Sequence, residues 1–442
     1  MKPEIADEAA IQKAADFLRQ GKLVAIPTET VYGLGADALN PEAVKRIFVA
    51  KGRPADHPLI VHIPDKAALT DWAIEIPELA WKLAEHFWPG PLTIVLKKHP
   101  DVPMEVTGGQ NTIALRVPAH PVALNMLKAF GGGIAAPSAN RFCRISPTLA
   151  SHVEEELGDK VDMILDGGVC QVGLESTIVD LSEAEPRLLR PGKISKTEIE
   201  SVLQQQLLLP EENEKIHMPG MMEVHYAPLT ETLLCTQSQI EIILRGDAFQ
   251  HKHKMGILSY ASEINSDLFD QIIVMPANVN EYGHLLYSKL RELDRADLNL
   301  IFVEQPPQTE GWRGVNDRLA KATKPLAAIE VKKICIQIKS HRFSNFQLEL
   351  IQAIGEEIAL NKELISHFEI QKGGDNEKYM NLLFETNALK KLWHQIQTKF
   401  FQDLTIGMTL GKSSVVVCEG KNGWDDFLLL YHFNKLEKLD NP

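Results

Sequence analysis

The sequence predicts a multidomain α/β protein, and three observations carry that reading. At 442 residues the chain exceeds what one hydrophobic core usually serves, so two or three domains are expected. From Pro3 to about Gly192 stretches of helical period alternate with short β-rich runs, and a second alternation begins near Thr230. Composition is globular, at 44% hydrophobic and 24% charged, which excludes wholesale disorder.

In chain order, Ile11, Ala14, Ala15 and Leu18 space a helix that stops at Gly21, and the apolar run LVAIP follows as a strand. Asn40-Pro41 supplies a cap and first-turn proline before Val44, Ile47 and Phe48, and LIVHI at 59–63 is strand-like. Ser146-Pro147 repeats the cap-proline start, while TIVL, TIALRV, GIAAP, MILD and STIVDL are short strands between turns. LPEENEKIHMPGMMEVHYAPLT shows no steady period and reads as a linker of the length that serves as a lid or connector. Beyond it MGILSY, QIIVMP and LIFVE alternate with helices through Tyr287, Leu290 and Leu293 and through Val315 and Leu319, a small parallel-sheet domain. In the last hundred residues FQLELIQAIGEEIAL and YMNLLFETNALKKLWHQIQTKFF carry helical spacing, and SSVVVCEGKNGWDDFLLLYHF reads as two strands about a Lys-Asn-Gly turn. The expected division is 1–207, a linker 208–229, 230–338 and 339–442.

The net charge of -13 argues against a protein coated in basic surface, so any nucleotide contact must come from a local patch. Cys143, Cys170, Cys235, Cys335 and Cys418 are scattered without metal spacing and read as reduced thiols. No run has the length of a membrane span and the N-terminal stretch lacks an apolar core, so a cytoplasmic protein is expected.

Five polar clusters fall at strand ends, where α/β sheets bind ligands. IPTETVYGLGADA offers Thr28, Glu29, Thr30 and Tyr32; its GLG is no dinucleotide fingerprint, because position 38 is Ala. KGRPADHPLIVHI offers Lys51 and Arg53, a pair suited to phosphate oxygens, whose bland alternative is a solvated helix end. His57 sits in a loop, and a lone strand histidine such as His62 is more often structural than a ligand. TIALRVPAHP places Thr112 and Arg116 on one strand face, and an arginine amid apolar neighbours must meet a partner or an anion. IAAPSANRFCRISPT sets Ser138, Asn140 and Ser146 after a buried strand, where hydroxyls and backbone N–H groups make an anion site. GLESTIVD and RLLRPG add Ser176 and Arg190. Two lures fail: GMTLGKSS, 407–414, has three residues between its glycines where a phosphate loop needs four, and HKHK, 251–254, is a solvated charge run rather than a chelate.

These motifs, in this order, resemble the YrdC/Sua5 family over about residues 5–330, with PGMMEVHYAPLT and GWRGVNDRLAKAT similar to the linker and second domain of its long members. The resemblance implies a YrdC-like twisted mixed sheet with a central cationic cavity, a Rossmann-like second domain and an added α+β region. It implies an L-threonylcarbamoyladenylate synthase, joining L-threonine, bicarbonate and ATP with release of pyrophosphate, for threonylcarbamoylation of adenosine 37 in tRNA. Thr30, His62, Arg116, Ala136 and Ser176 match the threonine set. Lys51, Arg53, Thr112, Ser138, Asn140, Ser146 and Arg190, with His57, match the nucleotide and phosphate set; Lys51, Arg53, Ser138 and Asn140 are the expected catalytic members. Tyr226 would come from the linker as a lid. Magnesium is expected with ATP and without a protein cage, and tRNA and a threonylcarbamoyl-transfer complex are expected partners.

The chain departs from the family in RFCRISPT, where Arg141, Phe142 and Arg144 could reshape or further charge the mouth of the site, and in GWRG, 311–314. Residues from about 340 have no counterpart in the family and read as an accessory domain. Two other functions compete. An RNA-binding translation factor would usually interleave exposed aromatics with its basic residues, and only Tyr32 is available. The carbamoyl-adenylate chemistry of hydrogenase maturation would bring acylphosphatase-like and zinc-finger regions.

Overall fold

A computed structural model describes residues 2–210, 225–245, 254–326, 332–361, 364–373, 379–386, 389–420 and 423–432. The first helix, Glu8–Arg19, forms where Asp7 accepts the Ala10 N–H at 2.8 Å and Ala10, Ile11, Ala14, Ala15 and Leu18 bury one stripe. Its chain returns through Gly21, at φ 71°, into a ten-stranded sheet.

The strands are β1 (Glu4–Ile5), β2 (Val24–Ile26), β3 (Gly33–Asp37), β4 (Ile60–His62), β5 (Leu92–Lys97), β6 (Thr112–Arg116), β7 (Ile134–Ala135), β8 (Met163–Asp166), β9 (Thr177–Asp180) and β10 (Arg187–Arg190), in the order β1-β8-β2-β3-β7-β4-β6-β5-β9-β10. Parallel and antiparallel pairings mix: β4 runs parallel to β6, and β7 antiparallel to β4. Alternation then divides the side chains. Val61, Leu115 and Val179 join one large core, while Ile60, Ala114, Ile178 and Leu189 pack on the other face. His62 and Arg116, register partners on β4 and β6, share that second face.

A smaller sheet has the order β13 (Gln271–Met275), β12 (Met255–Tyr260), β14 (Leu300–Glu304), β11 (Glu231–Cys235), β15 (Lys324–Pro325). β12 pairs in parallel with β13 and β14, and β11 with β15. Helices Val279–Asp294 and Arg313–Ala322 supply Tyr282, Leu286, Tyr287, Val315 and Leu319 to one core, which also takes Val31, Ile145 and Leu174 from loops of the first sheet. The two sheets therefore share one compact unit.

A second compact unit holds the C-terminal residues. Its sheet is antiparallel, in the order β17 (His367–Gly373), β18 (Tyr379–Thr386), β16 (Lys332–Lys339), β19 (Ser414–Gly420), β20 (Gly423–His432). With helix Asn345–Ala359 between β16 and β17 and helix Leu389–Ile396 between β18 and β19, this is a split β-α-β arrangement with one added strand. Ile334, Ile336, Ile338, Met380, Leu382 and Phe384 pack with helical Ile351, Ile358 and Leu392.

Two expectations change. The helix expected at Ser146-Pro147 begins instead at Ala150, because the Ser146 hydroxyl bonds a carboxylate and the Pro147 carbonyl accepts the Tyr32 N–H. YMNLLFET is a strand: Met380, Leu382, Phe384 and Thr386 are buried at period two, and helix resumes only at Leu389. GMTLGKSS is a four-residue helix, Gly407–Leu410, running into β19. Residues 251–253 of HKHK and 211–224 of the linker lie outside the described residues. No described helix is long and apolar enough to cross a membrane.

Candidate active site

A narrow, partly open cavity lies where these strand ends meet. Its lining includes Thr28, Thr30, Arg53, His62, Arg116, Ala136, Ser138, Glu175, Ser176, Arg190, His225 and Tyr226. The cavity measures about 40 Å³, room for two or three waters at about 15 Å³ each. His225 and Tyr226, 6% and 1% exposed, fill the rest.

On one wall Arg116, buried on β6, donates through Nη2 to Glu29 at 2.5 Å, through Nη1 to Thr30 Oγ1 at 2.8 Å and through Nε to the Gly90 carbonyl at 3.2 Å. Glu29 also accepts the Ala119 N–H at 3.0 Å. Three of the five guanidinium N–H groups are committed, so one remains on each terminal nitrogen, a fork that suits a carboxylate. His62, 3% exposed, leaves Nδ1 buried without a partner. Burial first, then Arg116, pushes its pKa well below the usual histidine value, so the ring is neutral. Ser176 shares a hydrogen bond with Thr93 at 2.7 Å and accepts from Arg190 at 3.0 Å.

Across from it, helix Pro41–Lys51 is capped by Asn40, whose side chain accepts from Glu42 and Ala43, and ends at Gly52, φ 65°. Lys51 is consequently its last residue, and the solvated helix end does not hold: the side chain is buried, with Nζ donating to the carbonyls of Ser138 at 2.5 Å and Asn140 at 2.6 Å. Burial, then Arg53, drives the Lys51 pKa well down. Arg53 donates to the Pro58 carbonyl at 3.0 Å, and burial lowers its pKa to about 10. The Asn140 amide caps the turn by donating to Arg141 and Arg144 carbonyls, both at 2.8 Å, with Oδ1 buried and unpartnered.

Nine of the expected residues line the cavity, and Lys51, Asn140 and Ser146 stand directly behind it. Two do not join them. Thr112, half-buried, bonds Gln110 at 3.3 Å at the far end of β6, about 13 Å along the strand from Arg116. His57 packs edge-on against Phe142 with ring centroids 5.7 Å apart. Of the departures near the mouth, Arg144 bonds Asp294 at 3.0 Å and the Ala227 carbonyl at 3.1 Å, and Arg141 bonds Glu156 at 3.3 Å. Phe142 instead meets His225 edge-on at 6.3 Å.

Sequence reasoning missed Glu175, His225, Tyr287 and Arg318. Glu175 accepts from Ser146 at 2.5 Å, Arg318 Nε at 2.8 Å and Tyr287 at 2.9 Å. The available signal was Arg318 itself, an arginine on the helix stripe of Val315, Leu319 and Ala322. Among the described residues no group of three His, Cys, Asp or Glu could hold a metal, and both oxygens of Glu29 and of Glu175 are occupied.

The fold and cavity define a class of α/β protein whose site offers cations and hydroxyls rather than an activated nucleophile. Residues 16–192 match the Sua5/YciO/YrdC family, described as telomere recombination, and 194–323 match the C-terminal domain of threonylcarbamoyl-AMP synthase. Among similar proteins, threonylcarbamoyl-AMP synthase of Pyrococcus abyssi is 42% identical over 330 residues, 72% of this chain and 96% of that protein. The Bacillus subtilis enzyme of the same name is 40% identical over 72% of this chain and 93% of its own. The crystal structure of P. abyssi Sua5 complexed with L-threonine is similar at TM-score 0.68 and 40% identity, covering 73% of this chain and 97% of that one. The chain belongs to the Sua5/YrdC family of threonylcarbamoyl-AMP synthases.

Proposed function

We infer that the protein is a threonylcarbamoyl-AMP synthase acting as a nucleotidyltransferase on L-threonine, bicarbonate and ATP. The observation that carries this is the pairing in one cavity of a carboxylate-sized fork on Arg116 with a buried cationic wall of Lys51, Arg53 and Arg190. The threonine carboxylate takes the two spare N–H groups of Arg116, its hydroxyl or amine meets the unpartnered His62 Nδ1, and Thr30, Ala136 and Ser176 close the subsite. The amine adds to CO2 derived from bicarbonate, giving a carbamate. A carbamate oxygen forms a bond to the α-phosphorus as the bond to pyrophosphate breaks in line, yielding threonylcarbamoyl-AMP. The loose transition state needs positioning and charge neutralisation more than covalent help, which Lys51, Arg53, Ser138, Asn140, Ser146 and Arg190 supply; Thr112 and His57 reach only outlying parts of the nucleotide. Magnesium enters with ATP as its counter-ion.

A bound nucleotide needs a pocket of several hundred Å³, far above the 40 Å³ present. His225 and Tyr226 must therefore withdraw to admit it, and on return they exclude water from a hydrolysable mixed anhydride. The product serves tRNA adenosine 37 through a transfer complex, in the cytoplasm. Following pyrophosphate release with ATP, bicarbonate and each amino acid tests the reading: release requires L-threonine and bicarbonate together, and release indifferent to either refutes it. The RNA-binding reading gains nothing here, because Lys51, Arg53 and Arg190 are buried rather than displayed on the surface.

A further inference from the structure

A second opening, about 590 Å³ in volume, shares no lining residue with the candidate active site. It lies within the compact unit of the two sheets. Gln305 and Gln308 reach it from just past β14, Leu234 from near the end of β11, and Arg313 from the start of the helix that follows β14. These are the carboxyl ends of strands in a parallel sheet, where such sheets bind ligands. The volume falls in the range of small-molecule sites.

The two walls of this cleft differ. Leu188, Leu189, Leu209 and Leu234 make one of them apolar, and Leu209 is 43% exposed, an area that an apolar ring would cover. Opposite, Arg313 donates through Nε to Glu310 at 2.9 Å, which pins the guanidinium from the side. Its two terminal nitrogens bond nothing among the described residues, and the side chain is 38% exposed, so a ligand can reach them. That open end of the fork fits two oxyanion oxygens. Thr309 stands at the cap of the turn Glu310–Trp312 without capping it, and the Gln305 and Gln308 side chains have no hydrogen-bond partner among the described residues. Asp317 does not compete for the fork, because Arg318 at 2.5 Å and Lys321 at 2.7 Å occupy its oxygens. The ten-residue helix Arg313–Ala322 begins here and adds the partial positive charge of its N-terminus.

We propose that this cleft is a second ligand site, one for a nucleoside monophosphate. The phosphate oxygens take the Arg313 fork and the Thr309 hydroxyl at the helix start. The base lies against the leucine wall, and the Gln305 and Gln308 amides, which carry both donors and acceptors, meet its edge or the ribose. Inorganic phosphate would leave the leucines uncovered, L-threonine would offer them one methyl group, and a nucleoside would leave the fork empty. Arg313 belongs to GWRG, 311–314, where the chain departs from its family, so the fork is a feature this chain adds.

Calorimetric titration of the full chain with AMP tests this. Adenylate also suits the candidate active site, so wild type should bind two equivalents. Arg313→Gln should weaken one of them roughly tenfold or more, the worth of a charge-assisted hydrogen bond, and leave the other unchanged; Arg53→Gln should do the reverse. Pyrophosphate release by Arg313→Gln should stay within about twofold of wild type, which shows the variant folded. Ala320→Trp, at an exposed helix position on the cleft, fills the space with a ring and should remove the Arg313-dependent site alone. At that site adenosine, inorganic phosphate and L-threonine should each bind at least about tenfold more weakly than AMP. The absence of any AMP site sensitive to Arg313→Gln and Ala320→Trp, or binding there of any of those three as tight as that of AMP, overturns the proposal. A single site lost in Arg313→Gln and indifferent to Arg53→Gln supports the cleft and overturns the nucleotide reading of the active-site cavity instead.

Discussion

Arg116→Ala isolates the threonine subsite. The guanidinium is 4% exposed and its partner Glu29 6%, so two effects must be separated. A charge-assisted hydrogen bond to substrate contributes about 1.5–3 kcal/mol, so losing it raises the threonine KM by roughly ten- to 150-fold. Removing one member of a buried pair also costs about 3–5 kcal/mol of stability, because Glu29 keeps its charge with only the Ala119 N–H at 3.0 Å for company. Arg116→Ala/Glu29→Gln removes that stranded charge and restores most of the stability without restoring threonine binding. Initial rates of pyrophosphate release, with threonine and ATP varied in turn, read the result. The ATP KM should stay within about twofold, since no phosphate-wall residue bonds Arg116. Equal rises in both constants, or recovery of threonine KM in the double variant, refute the assignment.

His225 titrates at about 3, lowered by burial and by Lys51, Arg53 and Arg190 against Glu175. A histidine with a depressed folded pKa favours the neutral state, so the closed arrangement is fully stable above about pH 6.5 and weakens by up to tenfold per pH unit as pH falls toward 3. Hydrogen exchange at the Ala227 amide, which donates to the Cys143 carbonyl at 3.0 Å, should show that slope, and His225→Asn should flatten it. Lys51, with its pKa lowered by burial, should take up protons as MgATP binds at pH values through which it titrates, so the calorimetric enthalpy of binding measured across a pH series will vary with buffer ionisation heat in that range; Lys51→Arg should abolish the variation. Gly108 has φ 57°, and a Cβ there would stand 2.3 Å from the Asp56 carbonyl. Gly108→Ala should cost about 1–3 kcal/mol in denaturant unfolding and raise the ATP KM by displacing the loop that bears Arg53.

What could be read from the sequence was what period and turn chemistry write locally. Alternation along TIALRV puts Thr112 and Arg116 on one face of their strand, whereas the pairing that sets His62 beside Arg116 comes from the register of β4 on β6. Asn40-Pro41 starts its helix as the motif demands. Ser146-Pro147 offers the same cap-then-proline pattern and starts none, since a buried Glu175 captures the hydroxyl that would have capped; that carboxylate lies 29 positions away and leaves no local trace. YMNLLFET misled for a related reason: its apolar residues satisfy helical spacing, and only pairing with β16 and β17 decides for the strand. Arg318 was visible as an arginine in an apolar stripe, but its partners come from residues 175, 191 and 226, which no spacing rule joins.

The charge in AKGRP is explained by which cations are already paired. Arg116 and Arg318 have carboxylates, Glu29 and Glu175. Lys51 and Arg53 donate to backbone carbonyls and form no salt bridge among the described residues, and burial depresses both their pKa values. Folding has therefore stripped water from two cations without giving either a directly bonded carboxylate, Glu156 and Asp56 acting on them only through space, which is stable only because the surrounding core holds them there. A polyanion arriving against this wall meets charges whose desolvation is already complete, so its attraction is not spent on shedding their water. On a chain of net charge -13, burying the unpaired cations confines that attraction to ligands small enough to enter. The same burial disfavours an RNA backbone, which would need those charges at the surface.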